Sequence, residues 1–301
     1  MAGEAQPGDA GLMAVDGALE AELLDVATEA AHAAGRELLM RWRRPLQVDT
    51  KSTPTDPVTE ADLGAERAIR EVLGRRRPAD SILGEEGGET AGVGVSAEIP
   101  SSPAKEDDND SASHYRFSEN QKAALRWVVD PLDGTVNYLY GWPTFAVSIA
   151  VEDAAGGIAA VVLDPVRDEH FSATRSGPPL RNGQTVTATG CAALDRALVG
   201  TGFGYDPAVR ALQAQIAVEV IPRARDIRRA GVAALDMCAV ASGSLDAYYE
   251  RGVKAWDIAA GTLICQRAGL AVRTLEADGR LPSGVVVAAP ALIDELYALV
   301  A

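Results

Sequence analysis

The feature that most restricts the fold is an apolar run ending in paired acids: Trp127, Val128 and Val129, then Asp130-Pro131-Leu132-Asp133-Gly134-Thr135-Val136-Asn137. The apolar residues read as a buried strand bounded by turn signals. Pro131 has no N–H and forces a bend, so the second acid is predicted to leave the strand and enter a turn. Gly134 lets backbone approach a ligand closely, and the amides around Gly134 and Thr135 can face an anion. Two acids, exposed amides and a hydroxyl at a strand's end suit a divalent cation and a phosphate together. Taken alone, the stretch also reads as a plain acidic turn.

Three further segments place acids at the ends of predicted elements. Thr59 with Asp62 forms a plausible capping box at the start of a helix reaching about Arg75, which gives Asp62 a purely structural reading. Ser81-Ile82-Leu83 reads as a short strand that ends in Gly84-Glu85-Glu86-Gly87-Gly88, a second apolar strand delivering acids. Asp257 stands at the N-terminus of an Ala-rich helix over 255–268, where an Asp is an ordinary cap. If Asp62, Glu85, Asp130, Asp133 and Asp257 converge, their repulsion is costly unless cations neutralise them. Oxygen ligands favour Mg²⁺, Mn²⁺ or Ca²⁺ over zinc.

Between these points, 16–44 has helical spacing, with Leu19, Leu23, Val26, Ala30 and Ala33 on one face. Strands are predicted over 144–151, 158–163 and 169–173 as a meander, and over 197–202, 246–250, 271–275 and 285–288. Helices are predicted from Asp206-Pro207 to about 220, over 232–241 and over 290–300. Residues 1–16 read as a flexible tail. Residues 17–301 read as one domain of two packed α/β halves, roughly 17–190 and 191–301. The Gly-, Ser- and acid-rich stretch 88–122 reads as a mobile surface insertion, with a lid over the site as the alternative.

The formal net charge of −15 over 301 residues disfavours nucleic acid or an anionic membrane as a partner. It would also repel a phosphorylated substrate unless bound cations reverse the sign locally. Cys191, Cys238 and Cys265 form neither a disulfide framework nor a zinc spacing, and no run suits a membrane span, so a cytoplasmic protein is expected. A cysteine phosphatase needs Cys, five residues, then Arg, and Arg196 follows Cys191 one position too early. His32, His114 and His170 are scattered and read as structural or surface residues. Two residues separate Asp130 from Asp133, where an aspartyl-phosphate enzyme of the haloacid-dehalogenase type has one. A direct metal–water route is preferred.

Four segments together carry a resemblance: 56–62 (Asp-Pro-Val-Thr-Glu-Ala-Asp), 84–86 (Gly-Glu-Glu), 127–137, and 256–261 (Trp-Asp-Ile-Ala-Ala-Gly), with 246–250 in support. In this order they resemble the inositol monophosphatase family of Mg²⁺-dependent, lithium-sensitive phosphatases, from about residue 20 to the end. The resemblance implies an α+β fold, the layered αβαβα sandwich shared with fructose-1,6-bisphosphatases, and a homodimer. It implies a first metal on Glu85, Asp130 and the Leu132 carbonyl, a second on Asp130, Asp133 and Asp257, and a weaker third again at Glu85. Asp62 would pair with Thr135 to orient the attacking water in an in-line displacement, with Glu85 also counted in the catalytic set. The amides of Gly134 and Thr135 would hold phosphate. Asp133, the Ala233 amide, Glu250 and Asp257 would bind the leaving alcohol, and Lys51 matches a basic residue near the metals. The implied substrate is a small phosphorylated polyol, inositol monophosphate first. Histidinol phosphate, fructose 1,6-bisphosphate and 3′-phosphoadenosine 5′-phosphate are the alternatives, and a catalytically silent regulatory binding protein is the rival from another class. Val136 and Val232 stand where relatives often carry a small hydroxyl residue, and the long acidic insertion is also a departure; both bear on substrate preference.

Overall fold

In this computed structural model, residues 16–44, 48–50, 57–92 and 125–301 are described. The acidic run 106–110, Lys51, His114 and the tail before Asp16 lie outside them.

The first described element is helix α1 (Gly17–Arg41), capped by the Asp16 carboxylate, which accepts from the Ala18 amide. Leu23, Val26, Ala27, Ala30, Ala34 and Leu38 form its buried stripe at three- and four-residue spacing. A small hairpin, β1 (Val48–Thr50) and β2 (Pro57–Thr59), leads into α2 (Glu60–Arg76). Next come β3 (Ser81–Gly84), β4 (Gly88–Thr90), β5 (Arg126–Asp133) and the short α3 (Thr135–Leu139). The meander follows as β6 (Ala146–Asp153), β7 (Gly156–Asp164), β8 (Glu169–Thr174), β9 (Leu180–Arg181) and β10 (Gln184–Thr185). The rest is β11 (Leu198–Thr201), α4 (Pro207–Val220), β12 (Asp226–Arg228), α5 (Ala233–Ala241), β13 (Ala247–Arg251), α6 (Ala255–Arg267), β14 (Ala271–Leu275), β15 (Gly284–Ala288) and α7 (Ile293–Val300).

Two sheets organise these elements. The larger has the order β10-β9-β8-β7-β6-β5-β3-β4 and the smaller β12-β11-β13-β15-β14. Helices α1 and α2 cover one face of the large sheet, α5 and α6 lie between the sheets, and α4 with α7 covers the outer face of the small one. The result is an αβαβα sandwich with an apolar cluster in each interlayer space, anchored by Trp127 and Phe145, by Met237 and Ile264, and by Val286 and Leu296.

The structure departs from the sequence reading at four places. β5 does not end at Pro131: it pairs with β6 as far as Asp133, and the proline is absorbed as a register shift between Asp130 and Asp133. Gly88–Thr90 is not part of a structureless insertion but an edge strand on β3. β12 is an additional edge strand of the small sheet, paired in parallel with β11. The closing helix starts at Ile293, three residues later than its sequence pattern suggests.

Candidate active site

Register brings the first two acids together. β3 and β5 run parallel with Gly84 opposite Val129, so the next residues, Glu85 and Asp130, emerge side by side. The Glu85 amide donates to the Val129 carbonyl at 3.3 Å, which ties the two exits. Asp130 is nearly sealed from solvent, at 2 % exposure, and its Oδ1 accepts the Leu132 amide at 3.0 Å across the proline.

The second half of the chain is hooked onto this point by three polar contacts. Ser148, opposite Asp130 on β6, donates its hydroxyl to the Trp256 carbonyl at 3.2 Å, which sets Asp257 beside Asp130. Asp133 Oδ2 accepts the Ala234 amide at 2.7 Å, in the first turn of α5 and adjacent to Ala233. The Asn137 amide donates to the carbonyls of Thr144 and Ala230, both at 2.9 Å, so the loop before α5 is fixed to the large sheet.

Between them Gly134 has φ +93°, a left-handed conformation that favours glycine. A Cβ there would also stand 2.8 Å from Val232 Cγ2. Val232 precedes α5 as its N-cap and gives no side-chain cap bond. Its methyls fill the space beside Gly134 instead.

Asp62 takes part in two structures at once. Its Oδ2 accepts the Thr59 amide at 2.9 Å and the Thr59 hydroxyl at 2.5 Å, completing the capping box of α2. Its Oδ1 accepts the Thr135 hydroxyl at 3.1 Å. Thr135 Oγ1 lies equally close, 3.1 Å, to the Leu132 carbonyl, and its single proton can serve only one of the two acceptors.

The electrostatics are those of like charges held together. Burial, then the neighbouring Glu85, Asp133 and Asp257, push Asp130 well above the ordinary carboxylate range. Asp133 is pushed well up by burial and Asp257, against the Ala234 amide. Asp257 is raised to about 6, by burial and Glu250 against the Lys254 amide. Asp133, Glu250 and Asp257 keep part of their surface exposed, yet protein surrounds each closely enough for burial to be the largest cause. Glu250 is also raised by burial, while its Oε2 accepts the Tyr248 hydroxyl at 2.6 Å, two residues away on the same face of β13. Asp130 hydrogen-bonds side chain to side chain with both Glu85 and Asp257. Between carboxyl groups such bonds require a proton, so without a cation a proton on Asp130 relieves the repulsion.

Among the described residues no three acid, histidine or cysteine side chains already stand around one point as a closed ligand set. The donors nonetheless fit a hard cation in kind. They are oxygens only, gathered at the ends of β3 and β5 and the start of α6, and they bind protons where ordinary carboxylates would be ionised.

Four residues in or beside the site were not singled out in the sequence. Ser148 and Tyr248 position Asp257 and Glu250. A Cβ on Gly202 would overlap the Glu250 carboxylate, so a side chain there would displace Glu250 from its place. Asp236, an acid in the otherwise apolar α5, is buried at 4 % exposure and raised to about 8 by burial and Glu250, against Arg229. A lone acid in a helix reading Ala-Ala-Leu-Asp-Met-Cys-Ala-Val-Ala was the available signal.

A layered sandwich with buried acids at its sheet ends defines a class of phosphatases, and comparison with known proteins identifies it. Residues 19–301 match the model of the inositol monophosphatase family. The chain is 43% identical over 259 residues to the inositol-1-monophosphatase SuhB of Mycobacterium tuberculosis, covering 83% of this chain and 80% of that one. It is 38% identical over 252 residues to a protein described as Nus factor SuhB in Pseudomonas aeruginosa, covering 82% and 83%. The crystal structure of extragenic suppressor protein suhB from Bartonella henselae superposes with a TM-score of 0.77 at 29% identity, over 92% of this chain and 98% of that one. This chain belongs to the inositol monophosphatase family, whose members are generally metal-dependent. Among the described residues no helix is long and apolar enough to cross a membrane.

Proposed function

We propose that this chain is a Mg²⁺-dependent phosphomonoesterase acting on a small polyol phosphate, inositol monophosphate first, as a soluble cytoplasmic homodimer. The observation that carries this reading is the crowding of Glu85, Asp133 and Asp257 on buried Asp130, beside an Asp62–Thr135 pair whose partners come from different elements.

Glu85, Asp130, Asp133, Asp257 and the Leu132 carbonyl would hold two or three Mg²⁺ ions. Bound there, the ions would supply positive charge for the phosphoryl oxygens and the leaving oxygen, and would acidify water. The chain's own residues do the rest. Because the Thr59 donors occupy Asp62 Oδ2, Oδ1 is the oxygen left to orient Thr135. Engagement of the Leu132 carbonyl elsewhere would leave Asp62 as the acceptor of the Thr135 proton. The Thr135 oxygen then offers lone pairs to a water, aiming it at phosphorus while Asp62 receives the proton relayed through the hydroxyl. The amides of Gly134 and Thr135 would hold the phosphate. Glu250, kept in place by Tyr248, would accept hydroxyls of the polyol together with Asp133, Asp257 and the Ala233 amide.

Phosphate release from inositol monophosphate, histidinol phosphate, fructose 1,6-bisphosphate and 3′-phosphoadenosine 5′-phosphate at saturating Mg²⁺ tests the reading. Release is expected with all the selectivity for the first; no release from any of the four removes it. The description of the Pseudomonas relative as a Nus factor favours a second reading, a regulatory binding protein on the same fold. It would be supported if Mg²⁺ neither bound nor activated.

A further inference from the structure

We infer that Glu66 is the positioning residue for Glu85, holding the turn that carries it through the backbone amides of Glu86 and Gly87. The inference rests on the reading of Glu85 as a metal ligand. Glu66 lies one helical turn beyond Asp62 on α2, so both carboxylates project from the same face. It is buried at 4 % exposure. Its Oε2 accepts the Glu86 amide at 2.8 Å, and its Oε1 accepts the Gly87 amide at 2.9 Å and Arg70 Nε at 2.7 Å. Arg70 in turn donates to the Gly88 carbonyl at 3.0 Å and the Thr90 hydroxyl at 2.9 Å. With the Glu85 amide on Val129, three successive amides are fixed. The first goes to the strand that carries Asp130, and the next two go to the helix that carries Asp62. The backbone of Glu85 is thereby held between the two elements whose acids it must meet.

The flanking glycines belong to the same device. A Cβ on Gly84 would stand 2.8 Å from Glu66 Oε1 and 2.9 Å from Arg70 Nη2, and one on Gly87 2.5 Å and 2.7 Å from the same atoms. The Gly-Glu-Glu-Gly pattern thus has glycine on both sides of its acids where the Glu66–Arg70 pair fills the space a Cβ would take. The pair is charge-assisted, with its carboxylate buried and its guanidinium partly exposed at the surface.

The test uses the full chain with Glu66→Ala, Glu66→Gln and Glu85→Gln. Amide hydrogen exchange is read on metal-free protein, and Mn²⁺ binding and Mg²⁺ activation are read separately. Glu66→Ala is expected to speed exchange at Glu86 and Gly87 at least about tenfold, leaving the amides of Thr59 and Asp62 unchanged. It is expected to weaken Mn²⁺ binding about tenfold and raise the Mg²⁺ needed for half-activation likewise, with kcat at saturating Mg²⁺ within about threefold of the parent. Glu66→Gln, which keeps the side chain's shape and one carbonyl oxygen, should restore part of each and carries the test if the alanine variant does not fold. Unchanged exchange at Glu86 and Gly87, or unchanged Mn²⁺ affinity in folded Glu66 variants, overturns the inference while a weakened Glu85→Gln keeps the reading of Glu85. If Glu85→Gln itself binds Mn²⁺ normally, that reading falls and the inference with it.

Discussion

Two helices of this molecule begin in the same way and end up with opposite electrostatics. At the start of α2, Asp62 caps the helix through the Thr59 amide; at the start of α6, Asp257 caps through the Lys254 amide at 2.7 Å. Both are third-position acids, and both satisfy an orphan donor in the ordinary way. The difference lies in what the rest of each carboxylate faces. Asp62 turns its other oxygen to a hydroxyl donor on Thr135. Asp257 faces Asp130, Asp133 and Glu250, and is raised to about 6. One site is complete as protein alone; the other needs a proton or a cation. A helix cap is therefore no argument against a functional role, since a carboxylate has two oxygens and can serve both purposes.

The sharpest way to break this comparison is to neutralise each acid. Asp130→Asn and Asp257→Asn should each lose roughly two or more decades in Mg²⁺-dependent turnover, several kcal/mol of transition-state stabilisation, in steady-state phosphate release. Asp257→Asn should at the same time raise the melting temperature of the metal-free protein, because it removes a repelled charge and keeps an acceptor for the Lys254 amide. Asp62→Asn should lower activity and stability together, the latter by about 1–3 kcal/mol, because an amide nitrogen would face donors on one side. A loss of metal-free stability in both variants would remove the contrast.

A second distinction separates Asp257 from Asp236. Both have folded-state pKa values above their unfolded ones, about 6 and about 8, so the folded protein holds the proton more tightly. Their stabilising contribution is fully present below about pH 4, the unfolded value, and is lost as pH rises, through about 6 for Asp257 and through about 8 for Asp236. In a chelator, stability should fall between pH 4 and pH 8. Saturating Mg²⁺ should abolish the part due to Asp257 and its neighbours Asp130 and Asp133, and leave the loss through about pH 8 that belongs to Asp236. Calorimetry across pH with and without Mg²⁺ checks this.

Smaller effects are expected at the caps themselves. Thr59→Ala should cost about 1 kcal/mol in chemical denaturation and disturb Asp62, since both Thr59 donors rest on one oxygen. Val232→Thr should stabilise by at most about 1 kcal/mol, by giving α5 the side-chain cap it lacks. A larger gain would mean that Val232 packs more loosely against Gly134 than its methyl's approach to the glycine implies.

Much of this molecule was legible in its sequence where one period dominated. The β6–β8 meander, the Asp206-Pro207 helix start and the acid-ended strand at 127–130 all declare themselves through alternation, caps or apolar runs. The misreadings have physical causes. Gly88–Thr90 and Asp226–Arg228 are three-residue edge strands whose side chains are largely exposed, so neither carries a buried period. Pro131 was expected to end a strand, but a register shift accommodates it because Asp133 still has Ala146 to pair with. At the site, the acids were visible as residue types at element ends, and their proximity follows from the β3–β5 register and the Ser148–Trp256 contact, neither of which leaves a local pattern. Glu66 was invisible for the same reason: its partners are backbone amides twenty residues away.

The most direct measurement of the central claim is phosphate release from inositol monophosphate across a Mg²⁺ titration, with Asp257→Asn in parallel. Saturable, Mg²⁺-dependent release that falls by roughly two decades in the variant is the predicted result. Release that proceeds equally well in a chelator, or that is unchanged in Asp257→Asn, would contradict the account of these acids as a cation-dependent catalytic site.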